Sequence, residues 1–522
     1  MFSVAAGRIL NLSVMSIGSP HHETPCELSE LSRTRFIGKT SRRGEPESPL
    51  GRIGNPSERP HTGSMSLTLQ PRTARELAYR LLEQHRTTGA WVHELLHRAF
   101  AEGTWGAPDR GLVTELVNGV VRRRATLSMV LAAVMPRPID RVEDSLFTLL
   151  QLGAYQLVFL DRIPAFAAVH ETVELTKCLG QRRWTNVVNG VMRGVTRLLT
   201  DEYATSPAED TIPVAPGRYR RVGQRIFADR SSEPVRFISQ AFSLPEWLAE
   251  RWHARWSWAD LLPILEAVNS PPVLYVRVNS RGVTPPMLLQ KWRESGIDAT
   301  EIAGLPALRV NSPGDVEQLP GFTEGWWIAQ DLTAMQATLL LDPRPGERVW
   351  DTCAAPGTKT TQLAELVGDS GMVFATDVDA VRLQRVVQNA SRLRLPNIQT
   401  MLADAKVENL PAGPFDAVLL DAPCSNTGVL HRRPEARWRI QPDDLGELSS
   451  LQRRLLHAAL DRVRPGGRLV YSTCSIEPEE NEQVVDVVAR QRRDTTAVLT
   501  AHTYRPGPEG DGGFQALLQR TM

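Results

Sequence analysis

The 522-residue chain is short of cysteine, short of lysine and free of long apolar runs. Its five cysteines, Cys26, Cys178, Cys353, Cys424 and Cys474, are odd in number and widely spaced, which argues against a disulfide framework and for a reducing compartment. No CxxC pair is present, so cysteine-ligated zinc is not expected and no metal site is assigned. No apolar stretch approaches the roughly 18 residues a membrane helix needs, so a soluble, cytoplasmic protein without membrane partners is expected. The formal net charge is +1, so there is no global field for a polyanion, and any nucleic-acid surface must be a local patch. Lysine occurs only at Lys39, Lys177, Lys291, Lys359 and Lys406, the other basic residues being arginine. Composition bias accounts for most of this, and it makes each remaining lysine worth reading individually. There is no internal repeat.

What is present divides the chain. Residues 1–65 are rich in Ser, Pro, Gly and Arg without periodicity and read as a disordered extension. The first acid is Glu23, a pattern shared with transit peptides, but a start called too early, with Met65 as the true start, explains it as well and is the reading adopted. Residues 66–200 show helical periodicity: in "GLVTELVNGVVRR" Leu112, Leu116 and Val120 recur every four residues with Val113, Val117 and Val121 alongside. Residues 201–234 read as a basic linker carrying "RYRRVGQR" (Arg218 to Arg225). Residues 235–320 read as a small mixed domain with helical "LPEWLAERWHARW", strand-like "PVLYVRVN", a helix near Pro286 to Ser295 and a strand near Ala307 to Val310. From Glu347 onward strands and helices alternate, which implies a parallel doubly wound sheet in a domain spanning 321–522.

The chemistry gathers in that last domain. In "RVWDTCAAPGTKTTQLAEL" a strand ends at Asp351, a loop of small residues follows and a helix begins near Thr358, the layout of a nucleotide-type site. The loop is neither GxGxxG nor a P-loop, which weakens dinucleotide and ATP readings. The next strand ends in Asp377, where a carboxylate can accept from ribose hydroxyls; a third ends in "LADA" at Asp404; "FDAVLLDAPCSNTG" delivers Asp421 and Cys424; and a run after "RPGG" delivers Cys474. Parallel strands present their C-terminal ends together, so these residues are expected to line one crevice. Two cysteines beside a carboxylate there are hard to explain as packing.

The motifs "DTCAAPGTKT", "DAPCSNTGVLHRRPEARWR" and "YSTCSIEPEENEQVV" resemble those of the S-adenosylmethionine-dependent RNA 5-methylcytosine methyltransferases in order and spacing. The helical part, with "DRGLVTELVNGVVRRR", "LGAYQLVFLDRIPAFAAVHETVELTK" and "NVVNGVMR", resembles the antitermination factor NusB, and "SLPEWLAERW" with "PPVLYVRVN" resembles a small RNA-recognition-like domain. The combination is similar to the bacterial Sun/RsmB-type enzymes acting on small-subunit ribosomal RNA. The resemblance implies an all-α NusB-like domain, a small α+β domain and a C-terminal α/β Rossmann-like methyltransferase, working as a monomer on 16S ribosomal RNA or an assembly intermediate.

It also implies roles. Cytosine C5 is a poor nucleophile, so a thiolate first adds to C6; by resemblance this is Cys474, with Cys424 assisting product release and Asp421 favouring addition at N3. DNA cytosine methyltransferases use the Pro-Cys cysteine instead, which would make Cys424 the attacker. S-Adenosylmethionine would lie on the loop Cys353, Ala354, Ala355, Pro356, Gly357, Thr358 and Lys359, with Asp377 on the ribose, Asp404 at the adenine edge and Asp421 nearby. Thr358 stands where the family has a second glycine, so a loop needing positive φ there would differ. "HRRPEARWR" (His431 to Arg439), Arg277 and the basic linker are read as RNA contacts. The rival functions are the same chemistry on transfer RNA or another ribosomal site, and a non-catalytic NusB-like RNA-binding factor.

Overall fold

The structure is a computed structural model that describes residues 71–311, 316–403 and 410–521. The reading of residues 1–65 and the role given to Asp404 lie outside the described residues.

The chain first forms α1 (Ala74–Thr88), α2 (Val92–Glu102), α3 (Ala107–Arg122), α4 (Arg124–Ala132), α5 (Asp144–Phe159), α6 (Ala165–Cys178) and α7 (Thr185–Leu198). Helix α1 starts where the Thr73 hydroxyl accepts the Glu76 amide and stops at Gly89, whose φ of 68° suits glycine. Helix α5 is buried continuously from Thr148 to Val158 and forms the bundle axis. It meets α3 at Gly119, where a Cβ would fall 2.0 Å from the Tyr155 ring, so only glycine allows this approach. The expected α3 stripe holds, except that Leu112 is only partly buried.

The stretch read as a basic linker is instead a three-stranded antiparallel sheet, β1 (Leu199–Ala204), β2 (Thr211–Ala215) and β3 (Arg218–Val222), in the order β1-β3-β2. Its arginines pair with local acids, Arg221 with Asp210 and Arg220 with Asp201, and Tyr219 and Ile212 are buried, so strand pairing outweighs the linker composition. Helices α8 (Pro234–Phe242), α9 (Glu246–Arg255) and α10 (Trp258–Ala267) also differ from expectation. Phe237, Phe242, Leu248, Trp252 and Leu265 bury into the same core as α1–α7 rather than onto the small sheet. That sheet comprises β4 (Leu274–Val278), β5 (Ala299–Glu301), β6 (Ala307–Val310) and β7 (Trp327–Ala329), ordered β5-β6-β4-β7, with α11 (Pro285–Glu294) burying Trp292 against Trp327. It therefore runs past residue 320.

The last part contains α12 (Leu332–Leu341), β8 (Arg348–Asp351), α13 (Thr358–Val367), β9 (Met372–Asp377), α14 (Ala380–Arg392), β10 (Ile398–Leu402), β11 (Phe415–Asp421), α15 (Ala436–Arg439), α16 (Pro442–Leu460), β12 (Val463–Thr473), α17 (Glu482–Gln491), β13 (Thr496–Tyr504) and β14 (Gly513–Arg520). The sheet order is β10-β9-β8-β11-β12-β14-β13, parallel through β12 and antiparallel at β14 and β13. Along β11 the side chains alternate between two cores, Val418 and Leu420 in one, Ala417 and Leu419 in the other, as a sheet covered on both faces requires. The strand order reverses between β8 and β11, which opens a crevice at their C-terminal ends.

Candidate active site

On the β8 side, Asp351 is buried, accepts from the Thr360 hydroxyl at 2.6 Å and leaves its Oδ1 without a partner among the described residues. Burial pushes its carboxyl up to about 7, the Thr360 hydrogen bond opposing and the nearby Asp421 charge adding. The loop that follows is tied down by its own backbone: Gly357 donates to the Ala354 carbonyl at 2.7 Å, and Ala354 to Thr376 at 2.9 Å. Asp377 accepts from the Ala355 amide at 3.2 Å and the Asp379 amide at 3.1 Å. Pro356 is exposed at the loop crest, and its carbonyl accepts from Asn389 at 3.0 Å. Gly357 has φ 99°, and a Cβ there would press on Val386 at 3.1 Å, so this is the loop's glycine-demanding position. Thr358 begins α13 and is not among the residues of positive φ, so replacing the family's glycine there introduces no backbone strain. Cys353 is partly buried and packs against the sheet core, and burial raises its thiol to about 12, away from the thiolate that reacts.

On the β11–β12 side the two expected cysteines meet. Cys424 Sγ and Cys474 Sγ are 3.0 Å apart in hydrogen-bond contact, and both are free and partly exposed. Asn426, at φ 63°, accepts from the Cys474 thiol at 3.3 Å while its amide nitrogen donates to the Cys424 carbonyl at 2.9 Å. The Cys424 thiol is held well above its ordinary value, first by the hydrogen bond to Cys474 and then by burial. The supporting loops are pinned to each other: Gly428 donates to the Cys474 carbonyl at 3.0 Å, and Ile476 to the Thr427 hydroxyl at 3.1 Å. A Cβ on Gly428 would fall 2.4 Å from the Gly512 carbonyl oxygen, so this closure needs glycine.

The acids of "SIEPEEN" do not face the thiols as a cluster. Glu480 is buried and accepts from Ser425, Ser475 and Gln452, with burial raising its carboxyl. Glu477 is buried and accepts from Trp252 at 3.0 Å and from Arg251, which also holds Glu479. Thus α9 clamps the turn that carries Cys474.

Lys359 joins the two sides. Its ammonium lies 2.6 Å from Asp421, and although burial alone would lower it, the Asp421 charge more than offsets this and holds it above its ordinary value. Cys474 is among the groups whose charge it feels. Sequence reasoning placed Lys359 near the cofactor or RNA backbone and missed this pairing, because Asp421 is distant in sequence. It also missed Asn426, whose only signal was its place inside "PCSNTG".

Much of the expected RNA surface is structural instead. Arg277 is buried, paired with Glu365 and hydrogen-bonded to Gln330 at 2.7 Å and Thr361 at 2.9 Å. The "RYRRV" arginines belong to β3. In "HRRPEARWR", Arg437 is buried and donates to the carbonyls of Arg122, Ser243, Val268 and Leu430 and to the Asn269 amide oxygen, while Trp438 donates to Val121 at 2.9 Å. Arg432 pairs with Asp511 and Asp331. A guanidinium offers five donors, and the facing helix ends offered unpaired carbonyls, so the segment became a lock between the helical part and the sheet.

Comparison with known proteins also divides the chain into three parts, the match to the small domain taking in α9 and α10. Residues 338–510 match the family described as 16S rRNA methyltransferase RsmB/F, residues 72–197 the NusB family, and residues 244–317 the RsmF/B-like, ferredoxin-like domain. A probable ribosomal RNA small subunit methyltransferase B of Synechocystis sp. is 35% identical over 426 residues, covering 81% of this chain and 90% of that protein. The ribosomal RNA small subunit methyltransferase B of Erwinia tasmaniensis is 35% identical over 424 residues, covering 79% and 90%. The solved structure of PH0851 shares the fold, with a TM-score of 0.67 at 23% identity over 87% of this chain and 99% of that one. Among the described residues no helix is long and apolar enough to cross a membrane.

Proposed function

We propose, from the premise that this chain belongs to the RsmB/F family of 16S ribosomal RNA methyltransferases, that it methylates C5 of a cytosine in that RNA through a covalent Cys474 adduct. The observation that carries the reading is the pair of thiols at 3.0 Å with the Lys359–Asp421 ion pair beside them.

S-Adenosylmethionine fits the β8 side. The unpartnered Asp351 oxygen and the Asp377 carboxylate suit a ligand with a cationic centre and hydroxyl groups, and the loop from Cys353 to Lys359 would hold it. When bound, it supplies an electrophilic methyl group on a sulfonium. The residues supply the rest. Cys474 loses its thiol proton to solvent as Sγ bonds to C6, and the electron pair moves through the ring toward N3, where the Lys359–Asp421 pair provides the proton that neutralises the developing charge and takes it back when the ring is released. C5 then carries the nucleophilic electrons and accepts the methyl group. Loss of the C5 proton to a base re-forms the C5–C6 double bond, breaks the C6–sulfur bond and returns the pair to Cys474. Cys424 suits assistance at this stage: the first cause holding its proton is the hydrogen bond to Cys474, and that partner becomes a thioether in the adduct.

The test is to express Cys424→Ala and Cys474→Ala in a bacterial host and examine each on a denaturing gel for attached RNA. Cys424→Ala should accumulate an adduct whose RNA sequences as 16S; Cys474→Ala should give none and lose at least about 10⁴-fold in methyl transfer. An adduct only in Cys474→Ala would reverse the two roles. Bisulfite sequencing of 16S RNA that finds no cytosine dependent on this protein would remove the C5 reading.

A further inference from the structure

The lock formed by "HRRPEARWR" leaves one arginine over. Arg433 is exposed and its side chain has no hydrogen-bond or ion-pair partner among the described residues, and the same holds for the side chain of Arg385 on α14. The two lie on segments that converge. Two residues beyond Arg433, the buried Glu435 accepts the Val92 amide at 3.1 Å, which brings the start of α2 onto this loop. Next to Val92, exposed His93 packs its ring 6.3 Å from Trp91, and the guanidinium of Arg439 lies 4.1 Å over the Trp91 ring. The charges of Arg433 and Arg385 both reach His93. Helix α14 in turn runs along the cofactor loop: Arg382, one turn before Arg385, donates to the Ala355 carbonyl at 3.2 Å, and Asn389 to Pro356. The loop bearing Arg433 is continuous with the one that holds Cys424.

The acids nearby do not cancel this patch. Glu435 is buried, and Asp379 caps α14 by accepting the Val381 and Arg382 amides at 2.8 Å and 3.0 Å. Glu435 and Glu94 oppose Arg433 and Arg385 at His93, and Asp379 lies within reach of Arg385's charge, but none of these acids forms an ion pair with either guanidinium among the described residues.

Resting on the reading of the chain as an RNA methyltransferase, we propose that Arg433 and Arg385, with His93 and the Trp91–Arg439 stack at the edge, form the track along which a single-stranded RNA segment enters the crevice. Unpaired guanidinium groups match phosphates at successive nucleotides, and the aromatic edge offers a face for an unstacked base. A strand laid there bridges the helical part and the sheet, so both parts contact the substrate close to the target.

The probe is a labelled 20-nucleotide single-stranded oligocytidine RNA, titrated by anisotropy against the full chain at several salt concentrations, with a duplex RNA of equal length for contrast. Arg433→Ala and Arg385→Ala should each lower the slope of log affinity against log salt by about 0.7, and the double variant by about 1.4. Affinity at low salt should fall about tenfold in the double variant, with S-adenosylhomocysteine binding unchanged. Arg490→Ala with Arg493→Ala, exposed changes at the far end of α17, should leave the line unmoved. Charge reversal, Arg433→Glu with Arg385→Glu, should weaken binding further; both side chains lack internal partners, so thermal unfolding should match the parent. Variants that lie on the parent line overturn the proposal, and so does a loss seen with duplex but not single-stranded RNA. The readout is binding alone, so failure of the C5 reading, seen as a different modified base, would leave this result standing.

Discussion

The two halves of one sheet edge hold sulfur in opposite ways. At the end of β8, Cys353 is partly buried, as are the other two, and packs beside a buried Asp351; burial pushes both groups toward their neutral forms, the thiol to about 12 and the carboxyl to about 7. At the ends of β11 and β12, Cys424 and Cys474 touch each other and stay partly exposed, with Asn426 on one side and the Lys359–Asp421 pair on the other. The same residue type at the same edge packs against the core in one place and, on the proposed reading, carries chemistry in the other. The difference lies in what faces the sulfur: the Thr352 hydroxyl and carboxylates for Cys353, a second thiol, Asn426 and the Lys359 charge for the pair.

The β8 side is broken most deeply at Asp351. Its folded carboxyl titrates above the unfolded one, so the native state binds the extra proton, and this group's contribution to stability is full below about pH 4 and is lost as pH rises through about 7. The full shift from 3.8 to about 7 corresponds to an upper bound of roughly 4 kcal/mol. Asp351→Asn should flatten this part of the curve, and urea unfolding of both proteins between pH 4 and 8 measures it. A parent curve that rises over the same window would remove the burial argument.

The link between the two sides is Lys359. Lys359→Met keeps the stem and removes the charge, leaving Asp421 unpaired beside the thiols. Single-turnover methyl transfer should drop about 10²-fold, or about 2.7 kcal/mol, with little change in S-adenosylhomocysteine binding. A loss confined to cofactor binding would place Lys359 wholly on the β8 side.

The smallest effect is expected at Cys353. Cys353→Ala should cost under about 1.5 kcal/mol and leave methyl transfer near that of the parent, and iodoacetamide with peptide mass mapping should mark Cys424 or Cys474 before Cys353. Prompt labelling of Cys353 would erase the contrast.

Much of this was legible before folding. The β8–α13 and β9 boundaries at Asp351, Thr358 and Asp377 coincide with the expected ones, because apolar runs ending in an acid and a small-residue loop mark strand and helix ends locally. The convergence of Cys424 and Cys474 followed from strand direction. The arginine-rich segments misled, since composition reports charge but not partner: Arg277, Arg432 and Arg437 meet their acceptors 88, 79 and as many as 315 residues away. The linker composition of residues 201–234 likewise concealed strands whose pairing closes only across the hairpin.

By itself, then, the sequence determined the three-part architecture, the family, the crevice and the cysteines within it, since each rests on local periodicity or short motifs. Tertiary structure alone decided which cations are spent inside and which two face outward, that Lys359 belongs to Asp421, and that Asn426 holds the Cys474 thiol. Hydrogen-bond and ion-pair partners are set by distances of a few ångströms between remote segments, which no local pattern records.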